Sequence, residues 1–526
     1  MPRHPTPAGY WGSVPDSRRR ICRLSRPMPV IAAGGDRLFF ASGDNEPTLV
    51  MSRVDDTLIS HYEDVWCMDT GIFHNGSTNV PMKRADNQVV IPDATVEEVH
   101  ESMQQVIRDQ IRHGVLAEEY GFDRAFFTEH HFELAGAECS PNPLNSQMAV
   151  AAKTDEIKLC QMGNILPWHD PIRLAEQTAM LDVYSDGRAE IGIGRGYQPR
   201  EAEVLGAMYW GGTCMDDEKN RAVFEEKYDL LMKAWTEDLV SYNGDFHHVP
   251  PSYTKHHHVQ DHAYLEDEVS EHDLEDVMDW DESGDMYSSD TRVLLSTNSR
   301  VEQIPVFPQP LQDPHPPIWM PVVSPRSTRW AARNGVNGVI TLGPRSRISP
   351  VVESYYDAAE EAGWPDRRSE HDGEPFEYGW DSERQRGLGF YRLLFNTDVA
   401  TEETFERFKL GAEAVWDHLA SSYSAELLLN LSDEEVEQLR SRQDLDEDQP
   451  VRADFDILEK KSIAVTGSSE EIIDEIASIK ESVGFTDLNL IGYFEAAGLT
   501  GEEADEQLRA FGEEVVPYLD EEFPNP

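Results

Sequence analysis

The sequence is short of cysteine, short of basic residues and without a long apolar run. Its five cysteines, Cys22, Cys67, Cys139, Cys160 and Cys214, form no CxxC pair and are odd in number. That excludes a disulfide scaffold and a zinc ribbon, and implies a reducing compartment. No uninterrupted apolar run approaches the ~18 residues of a membrane-spanning helix. Bases number 45 against 99 acids, a net charge of −54. Such a charge repels nucleic-acid phosphates and anionic membranes, so neither is an expected partner. The acids are spread over most of the chain rather than gathered in a tail. This is the pattern of a solvated acidic surface in a very salty cytoplasm.

What is present is a globular composition, with 39% hydrophobic residues in 526. This supports one large α/β barrel with insertions, or two to three domains. Residues 1–67 carry eight bases and eight acids, so the whole net charge of −54 falls after Cys67. "SRRRIC" (Ser17–Cys22) has the look of a twin-arginine export signal. The apolar segment after it is short and broken by Arg23, Arg26, Pro27 and Pro29, so export is not expected. The expectation for 1–67 is a disordered or non-native extension, with Met68 as a natural start.

From residue 68 strand-like and helix-like segments alternate. "MDTGIFHN", "RAFFTEHH", "IKLCQMGNIL", "AEIGIGRG", "PPIWMPVVS", "GVNGVITL", "LGFYRLLFNTDVA" and "TDLNLIGYF" are the strand candidates, about seven of them clear and one left open. Thr95 to Glu98 is a capping-box pattern, followed by apolar residues at helical spacing. Asp170-Pro171 opens a helix to about Tyr184, and another helix is expected from about Asp217 to Trp235. Two stretches break the rhythm, at about 255–300 and 415–460, and read as acidic insertions on the surface. The alternation predicts a parallel sheet, closed as a (β/α)8 TIM barrel from eight such units, with 68–526 forming one barrel domain.

In that fold, polar residues at the C-terminal ends of strands line the active site. The rule selects Glu129, His130, Asn164, Arg195 and Ser324. A metal reading of Glu129-His130-His131 is weak, because adjacent strand residues face opposite ways and HExxH spacing is absent. The cluster His247, His248, His256, His257, His258 and His262 reads as a solvated loop before it reads as a metal site. No metal is expected. "GIGRG" (Gly192–Gly196) is not a dinucleotide fingerprint, since Tyr197 replaces the third glycine, but its glycines suit close approach of backbone to a ligand. Arg195 suits a phosphate or a carboxylate partner. Ser324, Ser327 and Thr328 either cap a helix or present hydroxyls to a phosphate.

Together "TEHHF", "SPNPL", "ILPWHDPIRLAEQTAMLDVYSDGR", "IGIGRG", "PHPPIW" and "SPRSTRWAARNG", in that order, resemble the bacterial luciferase-like flavin monooxygenase family. The likeness runs from Asp69 to Gly335 and then thinly through "VTGSSEEIIDEI" to the last strand. It implies a (β/α)8 barrel, a homodimer, that binds reduced FMN at its C-terminal mouth and uses O2 to oxygenate a small organic substrate. It implies a separate flavin reductase as donor. By position it makes His130 the active-site histidine, places Arg195, Arg221, Ser324, Ser327 and Thr328 at the flavin phosphate, and puts Asn164 beside the isoalloxazine. The residues suit a neutral His130 that donates or accepts near pH 7; His131 is then structural. Gly194 stands where luciferases carry a reactive cysteine and Val323 where an acid is common, so light emission is not implied. Two other readings stay open: a deazaflavin-dependent hydride-transfer enzyme on the same barrel, and a flavin-binding protein without turnover.

Self-repulsion at −54 destabilises the compact state. Raising KCl from about 0.1 M to about 1 M shortens the screening length from about 10 Å to about 3 Å. The thermal midpoint, followed by scanning calorimetry, is expected to rise across that range; a flat or falling midpoint would contradict the acidic-surface reading.

Overall fold

The computed structural model describes residues 68–206, 213–251, 303–341, 343–363, 387–420, 425–445, 450–483 and 488–522, with three short strands before them. The chain divides into two compact units, Met1–Asp64 and Val65–Pro526. In the first, Val30–Ile31, Arg37–Ala41 and Thr48–Met51 form a three-stranded antiparallel sheet. The expectation of a disordered extension covers residues of which only these strands are described. The insertion expected at 255–300 lies outside the described residues.

The second unit is built on eight parallel strands: β1 Thr70–His74, β2 Arg124–Phe127, β3 Lys158–Gln161, β4 Ala189–Gly194, β5 Ile318–Val322, β6 Asn337–Ile340, β7 Leu388–Asn396 and β8 Leu488–Tyr493. Each pairs with its sequence neighbour. The ring closes where β8 pairs with β1, Ile491 opposite Gly71. The β4–β5 seam, Ile191 opposite Ile318, is spanned by the longest connection. This is the (β/α)8 barrel that the alternation predicts.

Parallel strands covered on both faces are nearly continuous apolar runs, and their alternation divides the core in two. Ile72, Ala125, Leu159, Ile191 and Ile318 pack outward with the helices. Phe73, Phe126, Cys160, Trp319, Tyr391 and Tyr493 form the second cluster, in the barrel interior. The helices that matter to the site are α1 Val96–Glu119, α2 Pro143–Ala151, α3 Pro171–Tyr184, α4 Asp217–Thr236, α5 Pro325–Arg333, α6 Ile348–Glu361 and α7 Glu402–Ala420. Local chemistry starts several of them. Thr95 and Glu98 form the capping box of α1, and Asp170 accepts from the Arg173 N–H with Pro171 in the first helical turn of α3.

The stretch 415–460 is more than surface decoration. Phe408, Val415, Trp416, Leu439, Phe455 and Leu458 are buried in the same cluster as Phe73, Tyr391 and Tyr493. Phe408 stacks on Phe395 of β7 at 4.5 Å. The apolar face of this stretch extends the barrel's inner core.

A single carboxylate ties four strands together inside the barrel. The Oε2 atom of Glu190 (β4) accepts from Arg124 Nε of β2 at 3.0 Å, Cys160 Sγ of β3 at 3.2 Å and Trp319 Nε1 of β5 at 2.6 Å. Arg124 also pairs with Asp69. Burial alone would raise the Glu190 pKa, but Arg124, Lys158 and the Cys160 hydrogen bond together outweigh burial and lower it. Removing one partner of such a pair leaves an uncompensated buried charge, at a cost of roughly 3–5 kcal/mol. Glu190→Leu is expected to lose that much in urea denaturation, and Arg124→Met/Glu190→Leu less than the sum of the single changes. Additive losses would rule out this coupling.

Candidate active site

β2 ends at Phe127, so the two histidines expected on the strand lie in the loop after it, which sends them to different partners. His131 turns to Glu129, with Nε2 3.4 Å from Oε1. Glu129 also holds His169 Nε2 at 2.8 and 2.9 Å and accepts the Ile165 N–H at 2.7 Å. Burial opposes ionisation of Glu129, but His169, His131 and the amide outweigh it and bring its pKa down to about 2. Glu129, chosen by the strand-end rule, is therefore an anchor that fixes the β2 and β3 loops to each other.

His130 enters a second, larger network. Its Nδ1 lies 3.4 Å from Glu138 Oε2 and 3.5 Å from Glu201 Oε1, near both carboxylates but aligned for a hydrogen bond with neither. Its ring meets Tyr197 edge-on at 6.1 Å. The Tyr197 hydroxyl donates to Glu138 Oε2 at 3.1 Å. Burial pulls the His130 pKa down, yet Glu138, Glu201 and Glu129 together push it up to about 9. The carboxylates around His130 thus favour the charged imidazolium over the neutral imidazole that the residue type alone suggests. Glu138, penalised by burial but facing two histidines, falls to about 2.

The other predicted residues form different groups. Asn164 is buried, and its amide donates to Gln161 Oε1 at 3.1 Å and to the Gly192 carbonyl at 2.9 Å. Arg195 Nη1 donates to Asp217 Oδ1 at 2.8 Å, and Arg221 Nη2 lies 3.8 Å from the other oxygen of Asp217. Arg326 grips Glu218 with both terminal nitrogens, at 2.5 and 3.0 Å. Three guanidiniums thus converge on two exposed acids between α4 and the start of α5. Arg221 Nε is buried without a partner. Burial, then Arg195 and Arg326, lower the Arg221 pKa.

Ser324 and Ser327 form a capping box on α5, and Thr328 Oγ1 donates to the Ser324 carbonyl at 3.0 Å. The glycines of "GIGRG" answer to packing. A Cβ on Gly192 would sit 1.7 Å from the Gln161 carbonyl oxygen, and Gly196, at φ +74°, has Trp168 2.8 Å from where its Cβ would lie. His247 is committed to Glu226, Nδ1 to Oε1 at 2.7 Å; His256, His257, His258 and His262 lie outside the described residues. Among the described residues no group of three or more His, Cys, Asp or Glu is arranged to hold a metal, and no helix is long and apolar enough to cross a membrane.

Sequence reasoning missed Glu138, Glu201, His418 and Arg326. Glu138 is a loop residue, Glu201 belongs to a short helix after β4 and His418 to α7, so none of these three sits at a strand end.

Comparison with known proteins agrees with this fold. Residues 89–262 match the family model described as luciferase-like monooxygenase. This stretch is a luciferase-like monooxygenase domain. An uncharacterized protein, y4vJ, of Sinorhizobium fredii is 32% identical over 29% of this chain and 41% of its own length. The oxygenase component of a flavin-dependent trigonelline monooxygenase from Acinetobacter baylyi is 26% identical over 46% of this chain and 50% of its own. The chain spans about half the length of the curated relatives it matches. Among solved structures, the oxygenating constituent of 3,6-diketocamphane monooxygenase from the CAM plasmid of Pseudomonas putida, in complex with FMN, has the same fold. Its TM-score is 0.55 at 18% identity, covering 86% of this chain and 98% of that one. The luciferase-like domain contains His130, Asn164, Arg195 and Arg221, whereas Ser324, Ser327, Thr328 and His418 lie beyond the matched residues.

The network makes a pH prediction. The Glu138 pKa drops from 4.5 to about 2, so its contribution to stability is present above pH 4.5 and is lost as pH falls through about 2. His130 rises from 6.5 to about 9, so its contribution is full below pH 6.5 and is lost as pH rises through about 9. The melting-temperature deficit of Glu138→Gln against wild type is expected to be largest between pH 4.5 and 6.5 and to shrink above pH 9. A deficit independent of pH would show that the pair does not couple protonation to folding.

Proposed function

We propose that the protein is a flavin-dependent monooxygenase that takes reduced FMN from a separate reductase and uses O2 to oxygenate a small organic substrate. The observation that carries the cofactor is the Arg195–Arg221–Arg326 cluster, with one buried guanidinium nitrogen left without a partner. A dianionic phosphate supplies the acceptors and the charge that this cluster lacks. Arg195 and Arg221 are assigned to it, with Arg326 beside them. Ser324, Ser327 and Thr328 open helix α5, whose N-terminal end adds a favourable dipole. When bound, the reduced flavin supplies the electrons that activate O2.

The chain's own contribution is orientation, dryness and a proton. The aromatic inner core, Phe73, Tyr391 and Tyr493 among it, excludes water beneath the mouth. The His130 imidazolium, held as a cation by Glu138 and Glu201, donates a hydrogen bond or a proton toward an oxygen acceptor at the mouth. Asn164 holds the β3 end against β4 through Gly192 and acts by placement. FMN is preferred to a deazaflavin because a relative is named flavin-dependent and a protein of the same fold is described with FMN. A reductase partner fits a relative described as an oxygenase component. A cytoplasmic homodimer remains part of the same reading.

Equilibrium dialysis under anaerobic conditions and in high salt tests it. Reduced FMN is expected to bind in preference to the deazaflavin. Loss of a charge-assisted contact costs roughly tenfold to a hundredfold. Arg221→Ala is expected to weaken reduced FMN by that factor and to leave riboflavin, which has no phosphate, unchanged. Equal losses for both ligands would remove the phosphate assignment, selective deazaflavin binding would move the protein to hydride transfer, and binding of neither would sink the flavin reading. O2 uptake by the loaded protein separates an enzyme from a flavin-binding protein.

A further inference from the structure

The surface stretch that follows β7 brings a titratable side chain into the site. His418, near the C-terminal end of α7, lies between two carboxylates of the β2 loop. Its Nε2 is 2.9 Å from Glu138 Oε2 and its Nδ1 is 3.2 Å from Glu133 Oε2. The Gln198 amide sits 2.9 Å from the same Nε2. Glu133, Glu138 and His418 are all largely withdrawn from solvent, with side chains 4%, 1% and 12% exposed. Glu138 Oε2 is the atom that His130 Nδ1 approaches at 3.4 Å from the other side. One carboxylate oxygen therefore stands between two imidazoles and also accepts the Tyr197 hydroxyl.

A helix that needed only to be anchored would be served by one ion pair on the surface. Here the contact is buried, uses both ring nitrogens, and is made to the counter-ion of the candidate active-site histidine. We propose that His418 is a positioning residue for His130: it acts through Glu138, whose Oε2 the two imidazoles share, and sets the pH at which His130 gives up its charge at the barrel mouth. The proposal rests on the monooxygenase reading for the role of His130, but its physical content is a coupling between two histidines. Burial pulls the His418 pKa down and His130 adds to that, but the Glu138 and Glu133 carboxylates outweigh both and push it up. The titratable groups around His130 are Glu129, His131, Glu133 and Glu138 on its own loop, Tyr197 and Glu201 on the segment after β4, His418 on α7, and His169, which is held by Glu129.

The sign of the coupling follows. Two cations on one carboxylate oxygen repel. Removing the His418 charge also leaves Glu133 without a cationic partner, with only the Ala135 and Ala137 amides to hold it. Both changes favour protonated His130, so its titration midpoint rises. At the separation of two imidazoles across one oxygen the expected rise is about one pH unit. A His418 that merely held α7 in place would leave the midpoint unmoved, or lower it by loosening Glu138.

The test uses the full chain in high salt without flavin, labelled with 13C at histidine Cε1 and titrated by NMR. Comparison with His130→Gln assigns the His130 signal. His418→Gln, which keeps a polar side chain of similar reach, and His418→Ala are then titrated. A rise of about one pH unit in the His130 midpoint in His418→Gln, matched in His418→Ala, supports the proposal; an unchanged or lowered midpoint overturns it. If neither variant folds, the wild-type titration decides, because coupled groups share their steps: a His130 signal that also reports the His418 step supports the proposal, and a single step overturns it. The measurement involves no flavin, so failure of cofactor binding and failure of this coupling are read separately.

Discussion

One buried carboxylate oxygen, on Glu190, holds the barrel to its shape. Arginine from β2, cysteine from β3 and tryptophan from β5 all point at it from different staves. A parallel barrel has no edge to slip along, so relative rotation of its strands has to be fixed from inside. Of the seams between successive strands, β4–β5 is the least secured by chain connectivity, since the connection there is the longest of the seven. The Trp319–Glu190 bond crosses that seam. Everything placed at the opposite ends of the strands, from the β2 loop to the start of α5, inherits its position from this fixed ring.

The same economy governs much of the acidic composition. Several glutamates spend their charge on backbone amides rather than on solvent. Glu118 accepts the N–H groups of Asp155, Glu156 and Ile157. Glu226 accepts those of Asp245, Phe246 and His247, and Glu495 those of Asn75 and Gly76. Each fixes a turn that would otherwise leave amides unpaired. Lys227 does the converse, donating to the Pro167 and His169 carbonyls. A count of net charge treats these acids as surface, but they are internal fasteners of loops.

How much was legible depended on range. Helix α3 was readable to its ends, because Asp170, Pro171 and the turn after Tyr184 act within a few residues of one another. The strands were readable because burial on both faces writes itself as unbroken apolar text. The divergence of His130 and His131 is a property of the loop, since the strand ends at Phe127 and its alternation does not reach them. The partners of His130 were not readable, since Glu138, Glu201 and His418 come from three separate segments and share no spacing with it. Asn164 and the "GIGRG" glycines looked turned toward a ligand, yet Gln161 and Gly192 consume the Asn164 amide and backbone crowding explains Gly192. Arg326 was passed over because a single arginine on a helix has no pattern until its neighbours converge.

Closure of β8 on β1 has a consequence for how this chain is made. The seam joins residues more than four hundred positions apart, Ile491 with Gly71. Until the last strand arrives, the sheet is an open one with two unpaired edges and an exposed aromatic lining. Contacts this distant in sequence form slowly, and open parallel sheets are prone to stick to one another. A chain so heavily charged with one sign repels its own copies during that interval. The acidity that costs the finished barrel stability thus shields the unfinished one from aggregation.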